Sequence, residues 1–260
     1  MSAPPSRPND GQLPLIGTAR TAEGASGRLL LIPSPLEQVP QPRRWLCEPD
    51  RLLAGSLTRF YVETPKTARL WLKALPVAAP LQSLQVRALP ATDVATDWKE
   101  WLAPLGAGET VGLLSDAGCP GIADPGALLI RAAHAAGFEV HPLIGPSSLL
   151  LALMASGLNG QRFTFQGYLP VDRLERQEAI GRLSRRSAAE RETVLLIETP
   201  YRNQPMADSL LECLPSTTQL CIAIDLTGAA ESVRCQPVSA WRRQTPVLPR
   251  KLPAVFLFLS

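Results

Sequence analysis

Residues 112–126 read GLLSDAGCPGIADPG. With the residue before them they begin as a short apolar run, Val111-Gly112-Leu113-Leu114, of the length and make-up of a buried strand. That run passes without a spacer into a loop of Asp, Gly and Pro. In open α/β sheets, ligands bind beyond the carboxyl ends of strands, and glycines there let the backbone approach a ligand closely. Asp116 falls at the end of the strand, where a carboxylate can hold a ribose hydroxyl or a cation. It can equally cap a tight turn, and local chemistry leaves both readings open.

Downstream, residues 143–158 read LIGPSSLLLALMASGL. Ser147 and Ser148 stand where a helix should begin. Free backbone N–H groups and the helix dipole favour an anion at such a place, for example the carboxylate of an amino-acid ligand; Ser147 as a plain N-cap is the competing reading. Three weaker segments follow: RFTFQGYLP over 162–170, LLIETPYR over 195–202 and IDLTGAAES over 224–232. Each places polar or aromatic residues after a strand-like run, and each alone is compatible with a solvated loop.

The rest of the chain alternates between two periods. Apolar runs at Leu29-Leu30-Leu31-Ile32 (stopped by Pro33 and Pro35), Phe60-Tyr61-Val62, residues 139–143, 163–165, 194–197, 220–224 and 254–259 read as strands, with 231–235 pairing beside 220–224. Between them, 66–75 has helical spacing, with Ala68, Trp71, Leu72 and Leu75 on one face. Residues 127–136 (closed by Gly137), 149–155, 173–189 and 205–214 are further helices. Strands alternating with helices predict an α/β protein, and the strand-rich end predicts a mixed sheet in a second domain. Residues 1–26, rich in Pro, Gly, Ser and Ala, read as a disordered tail, with domains over 27–157 and 158–260.

Composition narrows the function classes. The 260 residues are 45% hydrophobic and 19% charged, which is ordinary for a globular protein. No run approaches the roughly 18 apolar residues of a membrane span, and the opening residues lack a signal-peptide core; a cytoplasmic protein without a membrane partner is expected. The net charge of +3 is too small to argue nucleic-acid binding by itself, and the local basic groups at Arg182, Arg185, Arg186, Arg242 and Arg243 read as solvated faces. The five cysteines are scattered, with no CxxC and no flanking histidine, so neither a disulfide frame nor a metal site is expected. GxGxxG after a strand, GxxxxGK[ST], HExxH and GxSxG are all missing, which removes support for dinucleotide, P-loop, zinc-protease and α/β-hydrolase chemistry.

In this order, SDAGCPGIADPG, IGPSS, SGL, RFTFQGYLP, ETPYR and DLTGAAE resemble the tetrapyrrole methylase superfamily. They are most similar to its branch that methylates a cytidine 2′-hydroxyl of small-subunit ribosomal RNA. The branch pattern runs approximately SDAGTPxxxDPG, PGPSA, SGL, RFxFxGFLP, E(S/T)PxR and ELTKxxE. There are three departures: Pro33-Ser34-Pro35-Leu36-Glu37 stands where the family has TPIGNL, Glu63-Thr64-Pro65-Lys66 where it has EDTR, and, within DLTGAAE, Gly228 where it has the lysine of ELTK.

The resemblance implies a two-domain α/β enzyme, with a mostly parallel N-terminal sheet and a mixed C-terminal sheet, usually a homodimer. It implies S-adenosyl-L-methionine in the cleft between the domains. By position, Pro33, Asp116, Ala117, Gly118, Pro120, Gly121, Ile122, Ser147, Ser148, Tyr168, Ile197, Glu198, Asp225, Leu226 and Thr227 are then cofactor-binding candidates. Methyl transfer from a sulfonium is an in-line displacement, in which the cofactor supplies the driving force and the protein the alignment; such positioning is worth roughly 7–11 kcal/mol. A ribose hydroxyl is a poor nucleophile and calls for a base within about 3 Å. Glu63 and Glu231, by their place in the branch's motifs, are the candidate catalytic carboxylates. Tyr168 can stack on adenine or pack in the core. Cys119 is rejected as a nucleophile because no histidine stands in a partner motif. The acceptor stays open between RNA and a tetrapyrrole or other small molecule, and a non-catalytic cofactor-binding protein on the same scaffold is the third reading.

Overall fold

The computed structural model describes residues 27–37, 39, 44–90 and 96–260. The expected disordered tail, 1–26, lies outside the described residues.

The first half builds a five-stranded parallel sheet from β1 (Arg28–Ile32), β2 (Arg59–Val62), β3 (Gln85–Ala88), β4 (Thr110–Leu114) and β5 (Glu139–Pro142), in the order β3-β2-β4-β1-β5. Its inner strands are apolar on both sides because both faces are covered. Leu30, Ile32, Phe60 and Val62 pack with α1 (Glu48–Gly55) and α2 (Pro65–Ala74) on one face. Leu29, Tyr61, Val111 and Leu113 pack with α3 (Trp98–Gly106) and α4 (Ala127–Ala135) on the other. All four residues expected on the inner face of the second helix, Ala68, Trp71, Leu72 and Leu75, are buried.

The strand order creates a crevice. From β1 the chain crosses β4 to reach β2; from β4 it crosses β1 to reach β5. The connections leaving two adjacent strands therefore diverge, and the space beyond their carboxyl ends is where open sheets receive ligands.

The second half forms a mixed sheet from β6 (Phe163–Phe165), β7 (Thr193–Glu198), β8 (Gln219–Ile224), β9 (Ser232–Pro237) and β10 (Ala254–Leu259), in the order β6-β7-β10-β8-β9. Only β6 and β7 run parallel. The period of two is explicit in β10: Ala254, Phe256 and Phe258 face a core shared with α6 (Arg173–Glu190), α7 (Asn203–Cys213) and α8 (Val238–Arg243). Val255 and Leu257 face the opposite core, with Leu195, Cys221 and Ala223. What covers that second face is α5 (Ser148–Ser156), through Ala152 and Leu153. This helix belongs in sequence to the first half and in packing to the second. Arg176, buried in α6, donates to Ser209 Oγ of α7 at 3.0 Å and to the carbonyls of Pro170 and Val171 at 3.2 and 2.7 Å, so its burial is structural.

Four elements escape the sequence reading, for physical reasons. β3 is an edge strand, Gln-Val-Arg-Ala, with little apolar content. α1 has only Ala54 and Gly55 buried, so its period is faint. α3 carries Pro104 within it. α8 is six residues long. α7 also starts at Asn203 rather than at 205, because Pro205 is accommodated in its first turn.

Candidate functional site

The crevice of the first sheet is closed at its base by a bridge between the loops after β1 and β4. Ser34 and Gly118 exchange backbone hydrogen bonds of 2.7 and 3.0 Å, and Ser34 Oγ donates to the Ser115 carbonyl at 2.6 Å. Ser115 Oγ folds back onto the carbonyl of Gly118 at 3.2 Å. Asp116 is stitched to the loop after β2. Its N–H donates to Glu63 Oε2 at 2.9 Å, its Oδ1 accepts from Thr64 N at 3.2 Å, and its carbonyl accepts from Trp71 Nε1 at 3.0 Å. The Asp116 carboxylate thus reaches the residue that precedes α2. Glu63 keeps one carboxylate oxygen beyond its bond to Asp116.

The opposite wall is the start of α5. A Cβ on Gly145 would lie 2.4 Å from Pro33 Cβ, so only glycine lets the two loops approach this closely. Ser147 takes the N-cap position, yet its hydroxyl makes no capping bond. The orphan N–H groups of the first turn are therefore not satisfied by that side chain, as a site for an anionic group requires. The second sheet supplies the roof. Ile197 N donates to the Gly167 carbonyl at 3.1 Å, which holds the turn carrying Tyr168 against β7.

The cleft so formed is lined by Ala117, Gly118, Cys119, Ile122, Ala123, Asp124, Ser147, Ser148, Leu149, Phe165, Tyr168 and Ile197. Ala117, Gly118, Ile122, Ser147, Ser148, Tyr168 and Ile197 are thus brought together from among the candidates. Pro33, Asp116, Pro120, Gly121 and Glu63 shape the loops around it without being in that lining. Glu198 is buried beneath it, with Oε1 accepting from Thr199 N at 2.7 Å and Oε2 2.8 Å from Arg202 Nη2.

The third candidate loop folds on itself. Asp225 and Thr227 adopt left-handed backbone, with φ of 49° and 71°. Asp225 Oδ2 accepts from Ala230 N at 2.8 Å, and a Cβ at Gly228 would lie 2.3 Å from that carboxylate. The absence of a side chain at Gly228 is therefore what lets Asp225 close the loop. Glu231 Oε2 accepts from Thr227 N at 2.6 Å and from Arg44 Nη1 at 3.1 Å. Leu226 is buried in the core beneath α5, and Thr227 Oγ1 is buried with no hydrogen-bond partner among the described residues.

Asp124 is the residue sequence reasoning missed, although it lies within the quoted loop. Burial, then the Glu63 carboxylate, push its carboxyl up to about 7, partly opposed by a bond from Ser115. Burial also raises Glu63. Tyr168 is raised first by burial and then by the charges of Asp124, Glu198 and Glu63, which shows how close these groups stand. Burial likewise raises the Cys119 thiol, which keeps it protonated and weakly nucleophilic. The signal that marks Asp124 is its position, an acidic residue before Pro125 at the approach to α4.

The family model for tetrapyrrole (corrin/porphyrin) methylases matches residues 65–239. The chain belongs to the tetrapyrrole methylase family. Tetrapyrrole methylase relatives similar to it include proteins named ribosomal RNA small subunit methyltransferase I. That of Xylella fastidiosa is 41% identical over 126 residues, 48% of this chain and 45% of the relative. That of Synechocystis is 40% identical over 129 residues, 50% and 45%. That of Mycobacterium bovis is 34% identical over 215 residues, 80% and 70%. The chain thus matches somewhat less than half the length of the first two. Among solved structures, the methyltransferase CobJ superposes with a TM-score of 0.55 at 19% identity, covering 90% of this chain and 95% of that one. The uroporphyrin-III-C-methyltransferase of Thermus thermophilus gives 0.50 at 18%, covering 90% and 92%. At these identities the likeness is one of tetrapyrrole methylase fold. Among the described residues, no helix is long and apolar enough to cross a membrane, and no cluster of His, Cys, Asp and Glu could hold a metal ion.

Proposed function

We propose that the protein is an S-adenosylmethionine-dependent methyltransferase acting on a ribose hydroxyl of ribosomal RNA. The observation that carries the cofactor reading is the pairing of opposites in one cleft: the uncapped N-terminus of α5 on one wall and a carboxylate, Asp124, on another. S-adenosylmethionine is an amino-acid zwitterion with an added sulfonium, so it needs an anion site and an acidic neighbour together. The first turn of α5 would take its carboxylate, Asp124 its positive charge, and Tyr168 a face of its adenine. The RNA reading draws support from the names of the relatives.

When bound, the cofactor supplies an electrophilic methyl group. The protein's own part is alignment and removal of the hydroxyl proton. Glu63 is the better placed of the two candidate carboxylates, since one oxygen remains beyond its bond to Asp116 and burial raises its pKa. Glu231 is engaged by Thr227 and Arg44, and acts in this reading as a positioning residue for its loop. The enzyme is read as cytoplasmic and homodimeric; the exposed apolar residues Ile144, Leu150 and Met154, before and along α5, support a face for a second copy.

Calorimetric titration with S-adenosylmethionine and S-adenosylhomocysteine tests the cofactor, and transfer of a labelled methyl group to small-subunit ribosomal RNA tests the acceptor. Binding weakened about tenfold or more in Asp124→Asn is expected. A folded wild type that binds neither ligand would sink the reading; binding with methyl transfer to a tetrapyrrole instead would move the acceptor to the small-molecule class.

A further inference from the structure

The cleft is acidic: Asp124 lines it, the charges of Glu63 and Asp116 raise the Asp124 carboxyl, and Glu63 is tied to Asp116 in the loops around it. A ribose hydroxyl can enter such a place, but the flanking phosphates of an RNA strand cannot, and must be held outside by cations. Most arginines near the surface are already used. Arg173 pairs with Glu212, Arg186 with Glu192, Arg162 with Glu190, Arg59 with Glu109 and Arg44 with Glu231. Arg242 is spent on the carbonyls of Leu211 and Leu214.

Among the described helices, α2 gathers three cations that have no such partner. Its sequence, PKTARLWLKA, carries three cations and no acid. Lys66, Arg69 and Lys73 follow at spacings of three and four, so they form one stripe. All three are exposed, and none has an ion-pair or hydrogen-bond partner among the described residues. The stripe lies opposite the buried face of Ala68, Trp71 and Leu72. The helix is also fixed to the cleft at two points: Thr64 N, at its N-cap, donates to Asp116 Oδ1, and Trp71 Nε1 to the Asp116 carbonyl. Lys66 comes three residues after Glu63. Other unpaired cations lack one or both features. Arg182 and Arg185 sit on α6 among Glu175, Glu178 and Glu190, and Arg131 is alone on α4.

We infer that the Lys66–Arg69–Lys73 stripe of α2 is the docking ridge for the RNA backbone, gripping phosphates next to the nucleotide whose ribose enters the cleft. The inference rests on the reading of RNA as acceptor. From Lys66 to Lys73 the helix rises about 10 Å, enough for two or three consecutive phosphates of a single strand. Contacts of this kind are independent of sequence and sensitive to salt.

The test uses the full chain and a fluorescein-labelled polyuridylate 20-mer, with binding followed by anisotropy between 50 and 200 mM salt. Lys66→Ala/Arg69→Ala/Lys73→Ala is compared with Arg182→Ala/Arg185→Ala/Arg243→Ala, which removes the same charge elsewhere. S-adenosylmethionine affinity is measured on each as a check on the cleft. Each lost phosphate contact lowers the salt slope by about 0.7. The α2 variant is therefore expected to lose about 2 in slope and at least tenfold in RNA affinity, with cofactor affinity kept and the control variant near wild type. Equal losses in both variants, or none in the α2 variant while wild type binds RNA, would overturn the ridge and leave the acceptor reading intact. A wild type that binds cofactor but not RNA would overturn the acceptor reading and the ridge with it.

Discussion

Asp124 shows how much a single carboxyl can depend on its surroundings. Its pKa in the folded protein, about 7, lies well above the value of an unfolded aspartate, near 3.9. The folded state thus binds this proton more tightly, and the stability it gives is present below pH 4 and is lost as pH rises through 7. Asp124→Asn removes the penalty. It is expected to raise the melting temperature more at pH 8 than at pH 5, and thermal scans at the two values check the sign; an equal shift at both would mean that the carboxyl titrates normally. The same residue marks the limit of reading by letters. It stands eight places after Asp116 in the same loop, and both are acids among glycines. Which of them faces the cleft depends on Thr64 and Trp71, which reach Asp116 across about fifty residues of chain and are invisible to a local pattern. Glu231 is similar, since Arg44 is 187 residues away.

Elements were legible where they were apolar and long. β1, β4, β7 and β10 are continuous runs because helices cover both faces of their sheets, and α2 declares itself through Ala68, Trp71, Leu72 and Leu75. β3 and α8 were not legible, one because it is a polar edge strand and the other because a single turn and a half has no readable period. α2 also carries a prediction of its own. Trp71→Phe keeps the ring in the core but removes the donor to the Asp116 carbonyl. A net loss of about 1 kcal/mol in denaturant unfolding is expected, together with weaker cofactor binding, because the loop after β4 loses one of its two ties to this helix. Loss of stability with unchanged cofactor affinity would show that the remaining tie, at Thr64, suffices.

At the scale of the molecule, the two sheets could be anticipated from the change in pattern near Gly157, but the way they are joined could not. Sequence order assigns α5 to the first sheet; Ala152 and Leu153 assign it to the second core, with Val255, Leu257 and Ala223. The loop that leads into it meanwhile packs at Gly145 on Pro33 of the first. One consequence concerns amide exchange. Local unfolding proceeds in cooperative units that follow packing rather than chain order, so the amides of α5 should exchange with those of β10 and not with those of β1 or β4. Val255→Ala, which thins that core at a cost of roughly 0.5–3 kcal/mol, is then expected to hasten exchange along α5 up to Ser148. The anion site at the head of that helix is only as rigid as the sheet beneath it, and ligand affinity becomes adjustable from a strand that the ligand never touches.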